Sequence, residues 1–228
     1  MVVEARDTGQ FSEVWILPVY AHMFDAKRKV LASFSHRMEL CRRNFEHLST
    51  ESCVVRVLGV EKDVYMAKRQ SARSLRVGTA DVLDYLSERH PEKSFSFLMG
   101  ADTYRDLVSG KWRRSEELLR RLSFVVFRRG SDDATLYAQG RCQDTFLDSK
   151  HLTDISSTAI RDSLDLDFLQ KNLRKEVLDY ILRHHLYSIG RQRLHRRRAH
   201  YWRYAAGVLG MSVAAIFVYR WVQPARGK

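Results

Sequence analysis

The sequence predicts an α/β fold with a mainly parallel β-sheet flanked by helices. Short apolar runs rich in branched residues alternate with longer stretches whose apolar residues recur at helical spacing. Because parallel strands need crossover connections, this alternation favours helices that pack on the sheet. Ligands of such sheets bind at the carboxyl ends of the strands, so the loops that follow the strands are the first place to look for a site.

The predicted elements follow one another in a regular order. The predicted strands are Val14–Val19, Val54–Val57, Ser94–Met99 and Ser123–Phe127. The predicted helices are Phe34–Leu48, Val77–Leu86 and Ser115–Leu122, with a further helix around Val177–Ile181. Each helix carries apolar residues along one stripe and charged residues outside it. The loops after Val19, Met99 and Phe127 are therefore expected to line the site.

Composition indicates one compact domain with a distinct extension. A chain of 228 residues, 45% of them hydrophobic, is long enough to bury a substantial core. The three cysteines, Cys41, Cys53 and Cys142, are far apart and odd in number. They indicate reduced thiols rather than a disulfide framework or a zinc site. The nine histidines show no metal-ligand spacing.

The C-terminal extension is strongly basic and then apolar. From residue 191 to 228 there are nine Lys/Arg and no Asp/Glu, so this stretch carries +9 of the formal +12. Residues 201–222 would span about 33 Å as a helix, against a hydrocarbon core of about 30 Å. We therefore predict a domain at 1–190, a basic juxtamembrane linker at 191–203 and a transmembrane anchor at 204–222. The alternative for the apolar run is a buried core helix.

The basic linker predicts how the domain is oriented relative to the membrane and which partners the linker binds. Under the positive-inside tendency it stays cytosolic, so the domain is predicted to face the cytosol. A short anchor with basic flanks on both sides fits the mitochondrial outer membrane or the endoplasmic reticulum. The linker could also bind nucleic acid, but because it adjoins an apolar span, anionic lipid is the favoured partner and no nucleic acid is expected.

The segment Ile155–Arg161 is the most informative motif. Ser156 or Ser157 is predicted to cap a helix that extends to Phe168. The unpaired N–H groups and positive dipole of a helix start suit phosphate. Arg161 lies one turn further on, and because helical side chains lean toward the N-terminus its guanidinium can reach the same anion. The alternative is an ordinary capped helix with a surface arginine.

Other segments stand at predicted strand ends and helix starts. They are Pro18–Phe24 followed by Lys27–Lys29 and Leu31–Arg37, then Gly78–Leu83, Gly100–Asp102, Lys111–Trp112 and Arg128–Gly130. A glycine after a strand lets backbone approach a ligand, and a nearby carboxylate can accept ribose hydroxyls. Each segment also has an ordinary interpretation: a turn at Gly100, a helix cap at Thr79, a core side chain at Trp112 and solvated loop lysines.

In order and spacing these segments resemble the nicotinate/nicotinamide mononucleotide adenylyltransferases, Rossmann-like nucleotidyltransferases of the cytidylyltransferase-like superfamily. The matching family motifs are P-V-x-x-H-x-F-x-K, L-A-P-F-x-H-R, Y-T-x-D-T-L, G-A-D and I-S-S-T-x-I-R. The resemblance covers about Val3 to Tyr187. Gly78 and Val82 depart from it, because they replace the family's tyrosine and second threonine.

The resemblance implies an enzyme of NAD biosynthesis that joins ATP and nicotinate or nicotinamide mononucleotide into a dinucleotide and pyrophosphate, with Mg²⁺ on the phosphates and no metal-ligating residue. The implied catalytic residues are Lys29 and Arg161. The implied ATP-binding residues are Gly100, Asp102, Ser156, Ser157, Thr158 and Arg161. The implied mononucleotide-binding residues are Thr79, Trp112 and Arg129. A lysine beside the triphosphate would supply positive charge, and an indole can stack on a pyridine ring.

One family motif has no counterpart in the sequence. The family begins with G-G-x-F-N-P-x-H-x-G-H, which binds the ATP phosphates, whereas Met1–Glu13 resembles the second half of the helix after it, ending at Thr8-Gly9-Gln10. We expect either a part of a longer active protein, which we favour because the other site residues are largely intact, or a degenerate relative. The corresponding alternative function is a catalytically inactive, membrane-tethered nucleotide-binding or interaction protein.

Overall fold

Strands and helices alternate along most of the chain. The computed structural model describes residues 1–21, 31–69, 76–128, 141–148 and 156–198, with side chains to residue 192 in the last range. The strands are β1 (Glu13–Ile16), β2 (Val54–Val57), β3 (Ser96–Gly100), β4 (Ser123–Arg128) and β5 (Thr145–Asp148). The helices are α1 (Val2–Asp7), α2 (Phe34–Phe45), α3 (Val60–Arg69), α4 (Thr79–Arg89), α5 (Ala101–Val108), α6 (Ser115–Arg121), α7 (Ser157–Asp162), α8 (Leu166–Asn172), α9 (Lys175–Arg183) and α10 (Tyr187–Arg198), with a 3₁₀ turn, Glu46–Leu48, after α2.

The strands form two parallel sheets. β1 pairs with β2, with Glu13 opposite Val54. The second sheet has the order β3-β4-β5, with Ser96 opposite Ser123. All three strand pairs are parallel, which confirms the predicted α/β class with a parallel sheet flanked by helices.

The two sheets share a core on both faces. Neighbouring residues of a strand point to opposite faces, so Trp15 joins Phe97 in one hydrophobic cluster while Ile16 joins Leu98 in the other. Side chains from α3, α4, α5 and α6 complete the first cluster, and side chains from α1 and α2 complete the second. Helices therefore cover both faces, as in a doubly wound sheet.

β1 and β3 run in the same direction. The Glu13 carboxylate at the start of β1 lies 2.7 Å from the Lys93 ammonium, just before β3. Two residues on, the rings of Trp15 and Phe95 are 5.6 Å apart. The amino ends of the two strands are thus neighbours, so the loop after β1 and Gly100 at the end of β3 lie toward the same edge. That edge is where a ligand of such a sheet binds.

The C-terminal helices form a third hydrophobic cluster that packs on α2. Its buried members are Leu169, Val177, Leu178, Ile181 and Ile189, and Leu40 of α2 packs against them. Gly190 allows α10 to approach the end of α9, since a Cβ at that position would stand 2.7 Å from the carbonyl carbon of His185. Only glycine fits such a backbone approach without a shift.

The sequence-based element bounds hold with some corrections. The predicted strand at Val14–Val19 is wrong at its C-terminal end, because β1 ends at Ile16. The helix predicted from Thr158 to Phe168 is two helices, because Asp165 caps α8 by accepting from the N–H of Phe168 at 3.1 Å. Three helices, α3, α5 and α10, and the short strand β5 were not predicted.

The predicted anchor at 204–222 lies outside the described residues. α10 continues to Arg198, so it crosses the predicted boundary between the domain and the linker. Among the described residues, no helix is both long enough and apolar enough to cross a bilayer.

Candidate active site

The loop after β1 is held by a buried arginine. The Arg37 guanidinium, on α2, donates to the carbonyl oxygens of Val19 and Tyr20, the latter at 3.0 Å. Its Nε donates to the carbonyl of Ala32, also at 3.0 Å. Arg37 is only 6% exposed, and burial lowers its pKa, although a guanidinium of this kind stays charged.

A buried carboxylate holds the same loop from the other side. Glu61, at the start of α3, accepts hydrogen bonds from the backbone N–H groups of Tyr20 and Ala21. Burial raises the pKa of Glu61 to about 7, and the two N–H groups and Arg37 act in the opposite direction. The Tyr20 ring also contacts Tyr65 of α3, with ring centroids 5.0 Å apart.

The helix α7 has the geometry that the motif predicts. Ser156 is its N-cap and accepts from the N–H of Ala159 at 3.0 Å. The Arg161 side chain turns back toward the helix start, where its Nη2 donates to Thr158 Oγ1 at 3.1 Å. Arg161 is buried, contrary to the alternative of a surface arginine, and its Nε has no hydrogen-bond partner among the described residues.

Tyr187 links these two regions. It is the first residue of α10 and has φ +59°, a left-handed conformation that is uncommon for a bulky residue. Burial raises the pKa of Tyr187, whereas the positive charges of Arg161 and Arg37 lower it, so both guanidinium groups lie close enough to act on the phenol. The start of α10 therefore lies near Arg161 of α7 and near Arg37, which binds the loop after β1.

The predicted mononucleotide side is organised around Asp81. Gly78 is the N-cap of α4 and Thr79 its first residue, so Thr79 is not the capping residue. The buried Asp81 carboxylate accepts from the N–H of Gly78 at 2.9 Å and pairs with Arg113 Nη2 at 3.3 Å. Trp112, half-buried, meets the ring of Phe97 edge-on at 5.9 Å. Asp81 thus brings the start of α4 beside the loop that carries Trp112.

Gly100 and Asp102 stand in the open at the end of β3. A Cβ at Gly100 would meet nothing within 4 Å, so there is free space in front of this backbone. The Asp102 side chain is 83% exposed and pairs with Arg105 at 2.7 Å. Gly100 is half-buried and Asp102 is exposed, and both lie at the edge toward which the loop after β1 runs.

The structure brings the sequence-predicted residues together in two groups. Ser156, Ser157, Thr158 and Arg161 lie together on α7, while Thr79 and Trp112 lie on the segments that Asp81 joins. Gly100 and Asp102 share the edge of the sheet but make no described contact with either group. Lys29 and Arg129 lie outside the described residues.

Three residues of the region were not predicted as functional. Glu61 lies on α3, a helix that the sequence analysis missed although Val60 and Val64 lie one turn apart and are both buried. Lys68, on the same face of α3, pairs with Asp81 at 2.5 Å. In the sequence, Tyr187 stands out only as the last residue that the resemblance covers. Helical spacing of Glu61 and Lys68 with Tyr65 was the signal that could have revealed the face of α3 that joins both groups.

The described residues contain no group of three or more His, Cys, Asp or Glu side chains placed to hold a metal ion. The parallel sheets with helices on both faces define a Rossmann-like α/β protein. The cytidylyltransferase-like family model matches residues 1–163.

Comparison with known proteins gives the particular family. A probable nicotinate-nucleotide adenylyltransferase of Bacillus pumilus is 30% identical over 195 residues, covering 82% of this chain and 89% of the relative. One from Streptococcus pyogenes serotype M1 is 32% identical over 171 residues, covering 72% and 68%. The chain therefore belongs to the nicotinate-nucleotide adenylyltransferase family, within the cytidylyltransferase-like group.

Solved structures agree on the fold. The nicotinic acid mononucleotide adenylyltransferase of Plasmodium falciparum complexed with NaAD has a TM-score of 0.61 at 20% identity, covering 82% of this chain and 87% of that one. The same enzyme complexed with APC has a TM-score of 0.60, also at 20% identity and with the same coverage. At this identity the likeness concerns the fold.

Proposed function

We propose that this chain is an adenylyltransferase that joins ATP and nicotinate or nicotinamide mononucleotide to form the dinucleotide and pyrophosphate, as a step of NAD biosynthesis. The observation that carries the proposal is Arg161, a buried guanidinium whose Nε–H has no partner in the part of the chain that the structure describes and which lies beside a hydroxyl of α7. Burying a cation with a free donor is costly unless a ligand satisfies it. A phosphate group matches both its charge and its donor geometry.

ATP would be held at two places. The hydroxyls of Ser157 and Thr158 and the guanidinium of Arg161 offer donors for the phosphates. The free space in front of Gly100 would admit the nucleotide close to the backbone, and the exposed Asp102 carboxylate could accept its ribose hydroxyls. Mg²⁺ would arrive on the phosphates of ATP, since it is usually bound through phosphates and waters rather than an all-protein cage.

The mononucleotide would bind beside Asp81. Trp112 would stack on the pyridine ring, and Thr79 would offer its hydroxyl and the free N–H at the start of α4. Arg129, one residue beyond β4, would pair with the negative charge of the mononucleotide. Gly78 lacks the ring that the family's tyrosine would supply at this position.

The reaction is a displacement at phosphorus. A phosphate oxygen of the mononucleotide attacks the α-phosphorus of ATP, a new P–O bond forms, and the bond to the departing pyrophosphate breaks. Catalysis of such transfers is mainly positioning and charge stabilisation. Arg161, and Lys29 in the stretch between Ala21 and Leu31, would neutralise charge that builds up on the phosphates.

The test is turnover by the purified full chain. ATP, Mg²⁺ and either mononucleotide should give dinucleotide and pyrophosphate in equal amounts, and comparison of the acid and the amide assigns the substrate. Arg161→Lys should lower kcat because the fork-shaped donor set is lost. Arg183→Lys, at an exposed position of α9, is the matched control. Binding of the mononucleotide without any turnover would contradict catalysis and favour a nucleotide-binding protein.

We also propose that residues 204–222 anchor the protein in a membrane, with the domain at 1–190 facing the cytosol and residues 191–203 at the lipid surface. Support comes from the uncharged run of residues 204–219 and from the arginines on either side of it. Carbonate extraction of cell membranes should leave the full chain in the pellet, whereas a chain ending at residue 198 should be released. Imaging against mitochondrial and endoplasmic reticulum markers then assigns the membrane. Release of both chains would contradict the anchor.

A further inference from the structure

We propose that Arg37 and Glu61 form a positioning pair that sets the backbone of residues 18–21 for adenylyl transfer, a role that rests on the proposed function. The two residues are called the loop clamp here. Neither is assigned contact with a substrate. Their action is on the peptide groups of the loop that follows β1.

The whole guanidinium of Arg37 is hydrogen-bonded to backbone carbonyls. Each of its three nitrogens donates to a different carbonyl, those of Val19, Tyr20 and Ala32. Arg37 is only 6% exposed, and the nearby Glu61 carboxylate acts on its charge. A buried cation is costly, and the planar fork of arginine fixes directions that a lysine ammonium cannot. Such a placement specifies a backbone conformation rather than merely filling space.

Glu61 completes the hold on the same peptide groups. It is 5% exposed and accepts from the N–H groups of Tyr20 and Ala21. The peptide unit between Tyr20 and Ala21 therefore has its carbonyl bound by Arg37 and its N–H bound by Glu61. The ring of Tyr20 is held as well, between Phe34 at 5.0 Å and Tyr65 at 5.0 Å.

The hold matters because of where the bound carbonyls stand in the sequence. Val19 and Tyr20 precede residues 22–30 and Ala32 follows them, so Arg37 fixes the backbone on both sides of the stretch that contains Lys29. It is also within electrostatic reach of Tyr187, which neighbours Arg161. A shift of about 1 Å at a reacting group can cost about a hundredfold in rate. The loop clamp is thus placed to control catalysis without touching the reactants.

The experiment uses the full chain and single substitutions. Arg37→Lys keeps the charge and loses the fork, Glu61→Ala removes both acceptors, and Glu61→Gln keeps one carbonyl oxygen. Arg42→Lys on the same helix and Glu88→Gln on α4 are exposed controls. We expect R37K and E61A to lower kcat by up to about a hundredfold, with KM for the mononucleotide unchanged and partial recovery in E61Q.

Amide hydrogen exchange at Tyr20 and Ala21 supplies a readout that does not depend on turnover. Both amides should exchange faster in R37K and E61A than in the parent, while core strands such as β4 keep their protection. Faster exchange with unchanged kcat would overturn the proposal, as would unchanged exchange in both variants. If the parent makes no dinucleotide, the proposed function fails, and exchange alone decides whether the clamp holds the loop. Should E61A not fold, Glu61→Asp, shorter by one methylene, replaces it.

Discussion

The carboxylate of Asp81 lies 2.5 Å from the ammonium of Lys68 on the neighbouring helix. Asp81 is buried, whereas Lys68 is about one-third exposed, so the pair sits at the border of the core. The same carboxylate also caps α4 and meets Arg113 beside Trp112. One acidic side chain thereby fixes three segments around the proposed mononucleotide site.

The substitution Asp81→Asn should weaken mononucleotide binding. The amide keeps a cap for Gly78 but leaves Lys68 and Arg113 without their shared charge, so Trp112 loses its fixed neighbour. We expect a higher KM for the mononucleotide, an unchanged KM for ATP, and a loss of about 1–3 kcal/mol in the free energy of unfolding. Steady-state kinetics measures the two KM values, and urea unfolding measures the free energy of unfolding. Glu88→Gln, exposed on the same helix, is the control, and equal rises in both KM values would contradict the assignment.

The stability of the fold should depend on pH through Glu61. Burial disfavours the charged form and raises the pKa of Glu61 from the ordinary 4.5 to about 7. Arg37 and two peptide N–H groups lower the pKa, but their effect is smaller. The folded state binds the proton more tightly, so Glu61 makes its full contribution to the free energy of unfolding below about pH 4.5. This contribution falls by about 3 kcal/mol as the pH rises to about 7. Urea unfolding across this range should show that slope in the parent and lose it in Glu61→Gln. A variant with the parental slope would exclude Glu61 as its source.

Gly190→Ala should destabilise the packing of α10 on α9. The added methyl would meet the His185 backbone at 2.7–2.9 Å and the Ile181 carbonyl oxygen at 2.9 Å. Backbone atoms cannot move aside as a flexible side chain can, so a cost of about 1–3 kcal/mol is expected. Thermal unfolding measures it. A melting temperature equal to that of the parent would show that α10 does not pack as described.

In contrast to Gly190→Ala, the substitution Gly100→Ala should affect ligand binding rather than stability. A methyl at this position meets nothing within 4 Å and the backbone φ of −79° suits any residue, so the free energy of unfolding should change little. The methyl would instead stand where the proposed nucleotide approaches the backbone, and KM for ATP should rise. Calorimetric titration with ATP tests this, with thermal unfolding in parallel. Unchanged ATP affinity would place the nucleotide elsewhere.

The elements that could be predicted are those whose signal is local. β2 and β4 consist of branched and aromatic residues at short range, and their predicted bounds agree with the structure to within one residue. α3 was missed because it has as many charged residues as apolar ones, and the burial of Val60 and Val64 marks it as a packed helix. β5 was missed because Phe146 and Leu147 are only half-buried in a four-residue strand.

In the candidate site, too, the features that could be predicted are those with a local sequence signal. Ser156 as a cap and the backward turn of Arg161 follow from helix geometry, so the sequence was sufficient for both. Glu61 could not be assigned, because its role depends on burial against a loop 40 residues earlier in the chain. The burial of Arg161 likewise comes from the packing of α10 on α7, which no local pattern specifies.

α10 has one mechanical consequence. Its twelve residues form a single rod of about 18 Å, with Tyr187 at one end and Arg198 at the other. A tilt imposed at Arg198 would be transmitted along the helix to the phenol that neighbours Arg161, so an attachment at that end would alter the proposed phosphate site as well as hold the protein in place.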